Sequence, residues 1–186
     1  MSLPEFSQQN PLKIVVVGDG AIGKRRLLVT YTTGIFPTEY VPTVFDNFSS
    51  SITYKGSEVP IALWYTAGQD NRMRVLSYPY TDVFLLCYSI DNKNSYENIA
   101  SFWRPEVRNF STKVPIVLVA TKCDLRNENA TTADLVSTKD GKKMCAKIGA
   151  AKYVECSAKT SIGVEEVFQK AVRSVFKRKS RVCKIQ

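Results

Sequence analysis

Apolar and polar residues alternate along the chain in blocks that predict strands and helices in turn. Continuous apolar runs, typical of strands buried on both faces of a parallel sheet, occur at residues 12–17, 59–64, 83–89, 115–120 and 152–156. Apolar residues at helical spacing predict helices at residues 23–32, 94–109, 138–148 and 163–177. Residues 49–54 and the following Lys55-Gly56 turn predict a hairpin with the second run. We therefore expect an α/β fold, a mostly parallel six-stranded sheet with helices on both faces.

The composition narrows the classes of function. The 186 residues suffice for one globular domain with a full core. The absence of histidine excludes Ser-His-Asp and Cys-His catalysis and zinc sites built from histidine. Five cysteines without a CxxC pair indicate neither a disulfide framework nor a zinc ribbon, and a reducing compartment is expected. Cys87 and Cys156 lie in apolar runs and are predicted to be buried thiols.

The net charge of +9 is concentrated towards the C-terminal end. From Arg173 onward there are six basic residues and no acidic one, so the first 172 residues hold 20 basic and 17 acidic residues, a net charge of +3. A nucleic-acid-binding domain usually carries basic residues across a folded face, so no nucleic-acid partner is predicted. No run of about 18 apolar residues occurs, and residues 1–11 lack the features of a signal peptide.

A glycine-rich loop follows the first predicted strand and opens the first helix. Its residues are Gly18, Asp19, Gly20, Ala21, Ile22, Gly23, Lys24 and Arg25. They satisfy the dinucleotide motif G-x-G-x-x-G and also the phosphate-loop motif, except that Arg25 replaces its final Ser or Thr. Both motifs place backbone N–H groups against phosphate at a helix N-terminus. Lys24 favours the phosphate loop because its ammonium can reach terminal phosphates, although Glu39 lies at about the spacing of a ribose-binding acid.

Two polar tetrapeptides follow the last two predicted strands. They are Thr121-Lys122-Cys123-Asp124 and Cys156-Ser157-Ala158-Lys159. Open α/β sheets bind ligands at the carboxyl ends of their strands. The Asp124 carboxylate can accept two N–H bonds from guanine, and a lysine stem can lie on the plane of the base. Behind a phosphate loop, these segments predict a guanine-nucleotide site.

From Leu12 to Gln186 the chain resembles small GTPases of the Rho/Rac family. The most specific likeness is residues 39–47, which resemble the Rho-type switch I effector segment, and further likenesses occur at residues 76–79, 81–83 and 104–108. The resemblance implies a P-loop NTPase fold, a Ras-like G domain at residues 12–176 between an N-terminal extension (1–11) and a tail (177–186). It also implies GTP and GDP as ligands.

The resemblance assigns roles to individual residues. Phe36 would stack on guanine, Thr43 would sense the γ-phosphate, and Gly68-Gln69 would open switch II, with Gln69 orienting the attacking water. The other implied nucleotide contacts are Arg26, Tyr40, Thr121, Lys122, Asp124, Ser157, Ala158 and Lys159. Effectors would bind Tyr40, Val41, Pro42, Thr43, Val44, Phe45 and Asp46. Exchange factors, GTPase activators and a dissociation inhibitor are further implied partners.

Two departures from the family fall on its magnesium site. Arg25 stands where the family has Thr or Ser, and Tyr65 stands where it has Asp. Neither a guanidinium nor a phenol is a good Mg²⁺ ligand, which leaves Thr43 as the remaining implied ligand if the metal binds. Arg25 with neutral Tyr65 carries the same charge, +1, as Mg²⁺ with one Asp and one Thr.

Three arrangements of Arg25 remain open from the sequence. It could partly replace the metal, giving nucleotide binding with little dependence on Mg²⁺. It could fill the phosphate pocket, so that nucleotide binds poorly or not at all, or it could turn to solvent and leave the phosphates alone to hold the metal. Because an arginine cannot template phosphate oxygens as a metal does, we expect slow hydrolysis at best, despite Gln69. Two segments are also shorter than in the family: residues 70–75 of switch II, and residues 126–140, where a truncated insert is predicted.

The C-terminal residues Cys183-Lys184-Ile185-Gln186 match a C-a-a-X prenylation signal, in which Gln favours farnesyl. A prenyl group and basic residues together predict a reversible anchor on an anionic membrane. We therefore expect a cytoplasmic, peripheral switch on the plasma membrane or an endomembrane that acts on actin organisation and polarity through effectors. The alternatives are a pseudo-GTPase scaffold and, as a third, a dinucleotide-dependent oxidoreductase.

Overall fold

The computed structural model of the chain describes residues 6–39, 45–66, 71–127 and 135–182. Six strands form one sheet in the order β2-β3-β1-β4-β5-β6. Their bounds are β1 Leu12–Val17, β2 Phe45–Tyr54, β3 Ser57–Thr66, β4 Val83–Ser89, β5 Ile116–Thr121 and β6 Lys152–Glu155. The strand β2 is antiparallel to β3 and the other neighbouring strands are parallel, which confirms the predicted architecture.

Helices connect the strands on both sides of the sheet. They are α1 Lys24–Thr33, α2 Asn71–Leu76, α3 Lys93–Asn98, α4 Arg104–Phe110, α5 Thr138–Ile148 and α6 Val164–Val182. A π-helical turn, Ile99–Trp103, joins α3 to α4, and a 3₁₀ turn, Cys123–Arg126, follows β5. Within the four ranges described, no helix combines the length and apolar character needed to cross a bilayer.

The core lies in two layers, one on each face of the sheet. In β1, Ile14 and Val16 face the layer formed with α1 and α6, whereas Val15 and Val17 face the layer formed with α3, the π turn, α4 and α5. The buried apolar runs follow from this arrangement, because a central parallel strand has no face in water. Cys87 and Cys156 are buried as predicted, and burial raises the pKa of Cys87 to about 12.

Three elements differ from the sequence-based bounds. The strand β2 begins at Phe45 and not at residue 49, because its polar first half continues the backbone ladder with β3 without forming an apolar run. The predicted single helix over residues 94–109 is interrupted by the π turn. Finally, α6 continues to Val182, five residues further than predicted and into the expected tail, since lysine and arginine favour helix and no glycine or proline intervenes.

The C-terminal end of α6 packs against the start of the sheet. The Phe176 ring lies parallel to the Tyr54 ring with centroids 4.6 Å apart, and Phe6 meets Phe176 edge-on at 5.9 Å. Tyr54 ends β2 at the turn into β3. The end of α6 and the beginning of the described chain therefore lie at the edge of the sheet where the parallel strands begin.

Candidate functional site

The loop after β1 approaches β4 so closely that its first position requires glycine. Gly18 has φ +144°, and a Cβ atom there would lie 2.2 Å from the carbonyl oxygen of Cys87. Ile22 is buried beneath the loop, while Gly20 and Ala21 are exposed. The loop is thus anchored below and open above, as a site for a phosphate chain must be.

The Lys24 ammonium crosses this loop from the first residue of α1. It is 3% exposed and donates hydrogen bonds to the carbonyl oxygens of Gly18 (2.7 Å) and Asp19 (2.5 Å). The centroid of the Tyr65 ring lies 5.8 Å from Nζ. Burial lowers the pKa of Lys24 to about 8. Lys24 therefore loses its proton at mildly alkaline pH unless a bound anion raises its pKa again.

We expect nucleotide affinity to fall with pH above about 8. In the free protein Lys24 deprotonates there, whereas a bound phosphate raises its pKa, so binding must then take up a proton. The dissociation constant should be nearly flat below pH 7.5 and should rise towards about tenfold per pH unit by pH 9.

Titration calorimetry in two buffers of different ionisation enthalpy measures that proton uptake directly. The matched control is Lys24→Arg, whose guanidinium stays charged over this range and should bind without proton uptake. Equal proton uptake in both proteins at pH 8.5 would contradict the assignment to Lys24.

Asp19 is held by two donors from the other side of the sheet. Its Oδ1 accepts a bond from Trp103 Nε1 (2.6 Å), and its Oδ2 accepts one from Asn98 Nδ2 (2.7 Å). Residues five apart lie about 140° apart around an α-helix, so the i→i+5 geometry of the π turn brings these two donors to one side. Sequence reasoning missed both partners, because no local pattern marks a contact between residues 79 and 84 positions apart.

Arg25 points towards β2. Its Nε lies 3.7 Å from Asp46 Oδ2, with about 28% of its side chain exposed, and this buried nitrogen has no hydrogen-bond partner among the residues that the structure describes. None of the three arrangements considered from the sequence included this partner. Because the pair is long and partly exposed, it holds Arg25 only weakly.

Tyr65 lies on β3, opposite the Asp46 that pairs with Arg25. It pairs with Val16 of β1 and with Asp46 of β2 in the sheet register, and its ring packs against the core layer of α1 and α6. A guanidinium and a phenol thus occupy the positions of the family's Thr and Asp, and neither fits Mg²⁺ as a ligand. In the described part of the chain, no group of three or more Cys, Asp or Glu is placed to hold a metal ion.

The two tetrapeptide loops meet at the carboxyl edge of β5 and β6, as predicted. The Cys123 N–H donates to the Cys156 carbonyl oxygen (3.1 Å). The Thr121 hydroxyl donates to the carbonyl oxygens of Ile22 (2.5 Å) and Tyr88 (3.1 Å). Hydrogen bonds therefore join both loops to the glycine-rich loop and to β4, which makes one continuous rim.

Several polar side chains along this rim interact with other groups of the protein. Asp124 is 8% exposed within the 3₁₀ turn. Lys122 has φ +59° and pairs through Nζ with Asp91 Oδ2 at 3.1 Å. The buried Ser157 accepts the Thr160 N–H at its hydroxyl (3.2 Å). Asp91 is a partner that the sequence did not reveal.

Some of the remaining predicted nucleotide-contact residues also lie along this rim. The Ala158 carbonyl oxygen lies 3.5 Å from the Thr30 hydroxyl, and Lys159 is exposed. The Arg26 guanidinium carbon lies 5.2 Å from the centroid of the Phe36 ring, so it braces the ring assigned to guanine. The following predicted site residues lie outside the described ranges: Tyr40, Val41, Pro42, Thr43, Val44, Gly68, Gln69 and Cys183.

The dinucleotide alternative is not compatible with the topology. That reading places a ribose-binding acid at the end of the second strand of a parallel βαβ unit. Glu39 precedes β2 and does not end a strand, and β2 is an antiparallel edge strand. The sheet instead carries a glycine-rich loop after β1 and two joined loops at the carboxyl edge of β5 and β6.

Comparisons with known proteins agree with the fold. Residues 13–177 match the Ras family. The chain is 52% identical over 167 residues to the Ras-like GTP-binding protein RhoL of Drosophila melanogaster, across 89% of this chain and 87% of RhoL. With the phosphate loop, the two joined loops at the carboxyl edge of the sheet and these similarities, the chain belongs to the Ras family and is a Rho-type small GTPase.

Proposed function

We propose that this GTP-binding protein is a Rho-like signalling switch whose nucleotide binding depends little on Mg²⁺. The observation that carries the proposal is the pair of Arg25 and Tyr65 at the end of the phosphate loop. Among the described residues, Arg25 pairs with Asp46 at 3.7 Å, a weak contact that leaves a guanidinium available within the loop's own helix when phosphates bind. Its charge would offset phosphate charge in place of the metal.

Two side chains of the protein would contact the phosphates of the nucleotide. Lys24 would exchange its two carbonyl acceptors for phosphate oxygens, and Arg25 would exchange Asp46 for the outer phosphates. Gln69 is the residue we propose to orient the attacking water. Because a side-chain cation does not bridge phosphate oxygens as a metal does, turnover should be slow.

A second candidate, a pseudo-GTPase scaffold, is favoured by the Arg25–Asp46 pair itself. Asp46 belongs to the proposed effector segment, so this pair connects α1 to that segment by protein groups alone. If nucleotide does not displace the pair, the segment would keep one arrangement and bind partners constitutively. The two candidates differ in whether nucleotide changes the environment of Asp46.

Partners and location follow from the same family assignment. We propose that effectors bind residues 40–46, that exchange factors, GTPase activators and a dissociation inhibitor act on the switch segments, and that signalling reaches the actin cytoskeleton and cell polarity. We further propose a prenyl group on Cys183, which together with the basic residues before it would attach the protein to an anionic cytoplasmic membrane face.

Preference for guanine over adenine tests the nucleotide site at Asp124. Guanine offers two N–H donors to this carboxylate and adenine does not, so GTP should displace a fluorescent GDP analogue and ATP should not. Asp124→Ala should weaken GDP binding at least about 100-fold, because two hydrogen bonds to a charged group are lost. The exposed Asp140→Ala serves as control and should bind as wild type; equal binding of GTP and ATP would contradict the proposal.

A further inference from the structure

Six lysines, five of them exposed and Lys13 half-buried, gather at the edge of the sheet where the parallel strands begin. We call these six residues the basic edge: Lys13, Lys55, Lys113, Lys147, Lys152 and Lys177. Lys13 lies in β1, Lys55 in the turn before β3, and Lys152 opens β6. Because neighbouring strands lie about 4.8 Å apart, a row from the β2–β3 turn to β6 spans roughly 25 Å.

Few carboxylates offset this row among the residues described. Glu58 in β3 is exposed, and Asp82, before β4, accepts the Lys13 backbone N–H at 3.0 Å. Lys55, Lys113, Lys147 and Lys152 are all exposed. The folded domain thus carries an excess of positive charge here that its modest net charge does not reveal.

At the opposite edge of the sheet, positive and negative charges offset each other. There Lys122 pairs with Asp91 and Arg126 with Glu155, and Asp19 and Asp124 add further carboxylates. The positive field is therefore directed to one side, away from the nucleotide rim.

The C-terminal helix ends at the basic edge. Phe176 is fixed there by Tyr54 and Phe6, and Lys177 follows at once. The chain then continues through Arg178, Lys179 and Arg181 towards Cys183. Lys177 and the described end of α6 therefore lie on the same side of the molecule as the row of lysines.

We propose that the basic edge lies against an anionic lipid bilayer, so that the nucleotide rim and the effector segment face away from the membrane. This inference rests on the proposed membrane attachment and adds which face of the folded domain makes the contact. A bilayer fits because it presents an extended, flat negative surface that can meet a row of this length at once, and each lysine near it strengthens binding.

Vesicle co-sedimentation of the full-length, unprenylated chain tests this orientation. The vesicles contain phosphatidylcholine alone or with about a third phosphatidylserine, at low ionic strength. One variant neutralises the basic edge (Lys55→Gln, Lys113→Gln, Lys152→Gln). The matched variant removes the same charge elsewhere, at the starts of α3 and α5 (Lys93→Gln, Lys139→Gln, Lys142→Gln). Circular dichroism and GDP binding confirm that both remain folded and loaded.

Neutralising the basic edge should lower partition into anionic vesicles about 100-fold, whereas the matched variant should stay within about threefold of wild type. An equal loss in both variants would overturn the inference, because net charge alone would then explain binding. If the basic-edge variant partitions into anionic vesicles as wild type does, the tail alone explains binding and the inference is overturned. If wild type does not prefer anionic vesicles at all, the proposed charge-assisted attachment fails together with the inference.

Discussion

Excess EDTA should leave the GDP and GTP affinities of the wild-type protein within about threefold of their values in Mg²⁺, because the residues at the metal position offer positive charge and no ligand set. The double variant Arg25→Thr, Tyr65→Asp restores a hydroxyl and a carboxylate. Its affinity should fall at least about 100-fold on chelation, since a metal contributes several kcal/mol at a phosphate site. Displacement of a fluorescent GDP analogue measures both.

The Arg25–Asp46 pair supplies an internal control for that experiment. Asp46→Asn removes the carboxylate that competes with phosphate for Arg25 and should strengthen metal-independent binding by up to about threefold, the range expected of a partly exposed ion pair. Loss of nucleotide from wild type at the same EDTA concentration as from the double variant would contradict the role of Arg25. Binding by the double variant alone would favour the scaffold.

The largest loss of stability is expected from Glu106→Leu. Arg74, which is 2% exposed, donates to Glu106 through Nη2 (2.7 Å) and Nε (2.9 Å), and the Tyr78 hydroxyl also bonds to Glu106. Removing the carboxylate leaves a buried guanidinium without its counter-charge, which costs about 3–5 kcal/mol. The melting temperature should fall by roughly 10 °C for a chain of this size.

Two further variants separate this buried pair from ordinary surface charge. Lys143→Met breaks an exposed pair with Asp140 and should shift the melting temperature by no more than about 2 °C. Arg74→Met with Glu106→Leu removes both charges and should recover much of the loss. If Glu106→Leu has the same melting temperature as wild type, the pair does not hold α2 against α4.

Sequence patterns predicted the fold where local chemistry decides it. The runs in β1, β4 and β5 are apolar because each strand is covered on both faces, so pattern and structure coincide there. The first half of β2 was missed because an edge strand can pair through its backbone with polar side chains such as Asp46 and Asn47. The end of α6 was missed because a basic run is equally compatible with helix and with a solvated tail.

The candidate site likewise contains residues that the sequence predicted and contacts that it did not. Spacing correctly placed Lys24, Thr121, Asp124 and Ser157 at the carboxyl edge of the sheet. It could not reveal that Asp19 binds Trp103, that Lys122 pairs with Asp91 or that Arg25 turns to Asp46. These contacts join distant parts of the chain and depend on how the elements pack, which no window of sequence contains.

The π turn between α3 and α4 has a consequence for how relatives of different length are compared. Deleting one residue from Ile99–Trp103 would convert the turn to plain α-helix, where residues four apart share a face. The donors equivalent to Asn98 and Trp103 would then still share one face, but Pro105, which has no N–H to donate, would lie inside a continuous helix and bend it. A relative that lacks one residue at this point is therefore expected to carry another residue in place of Pro105.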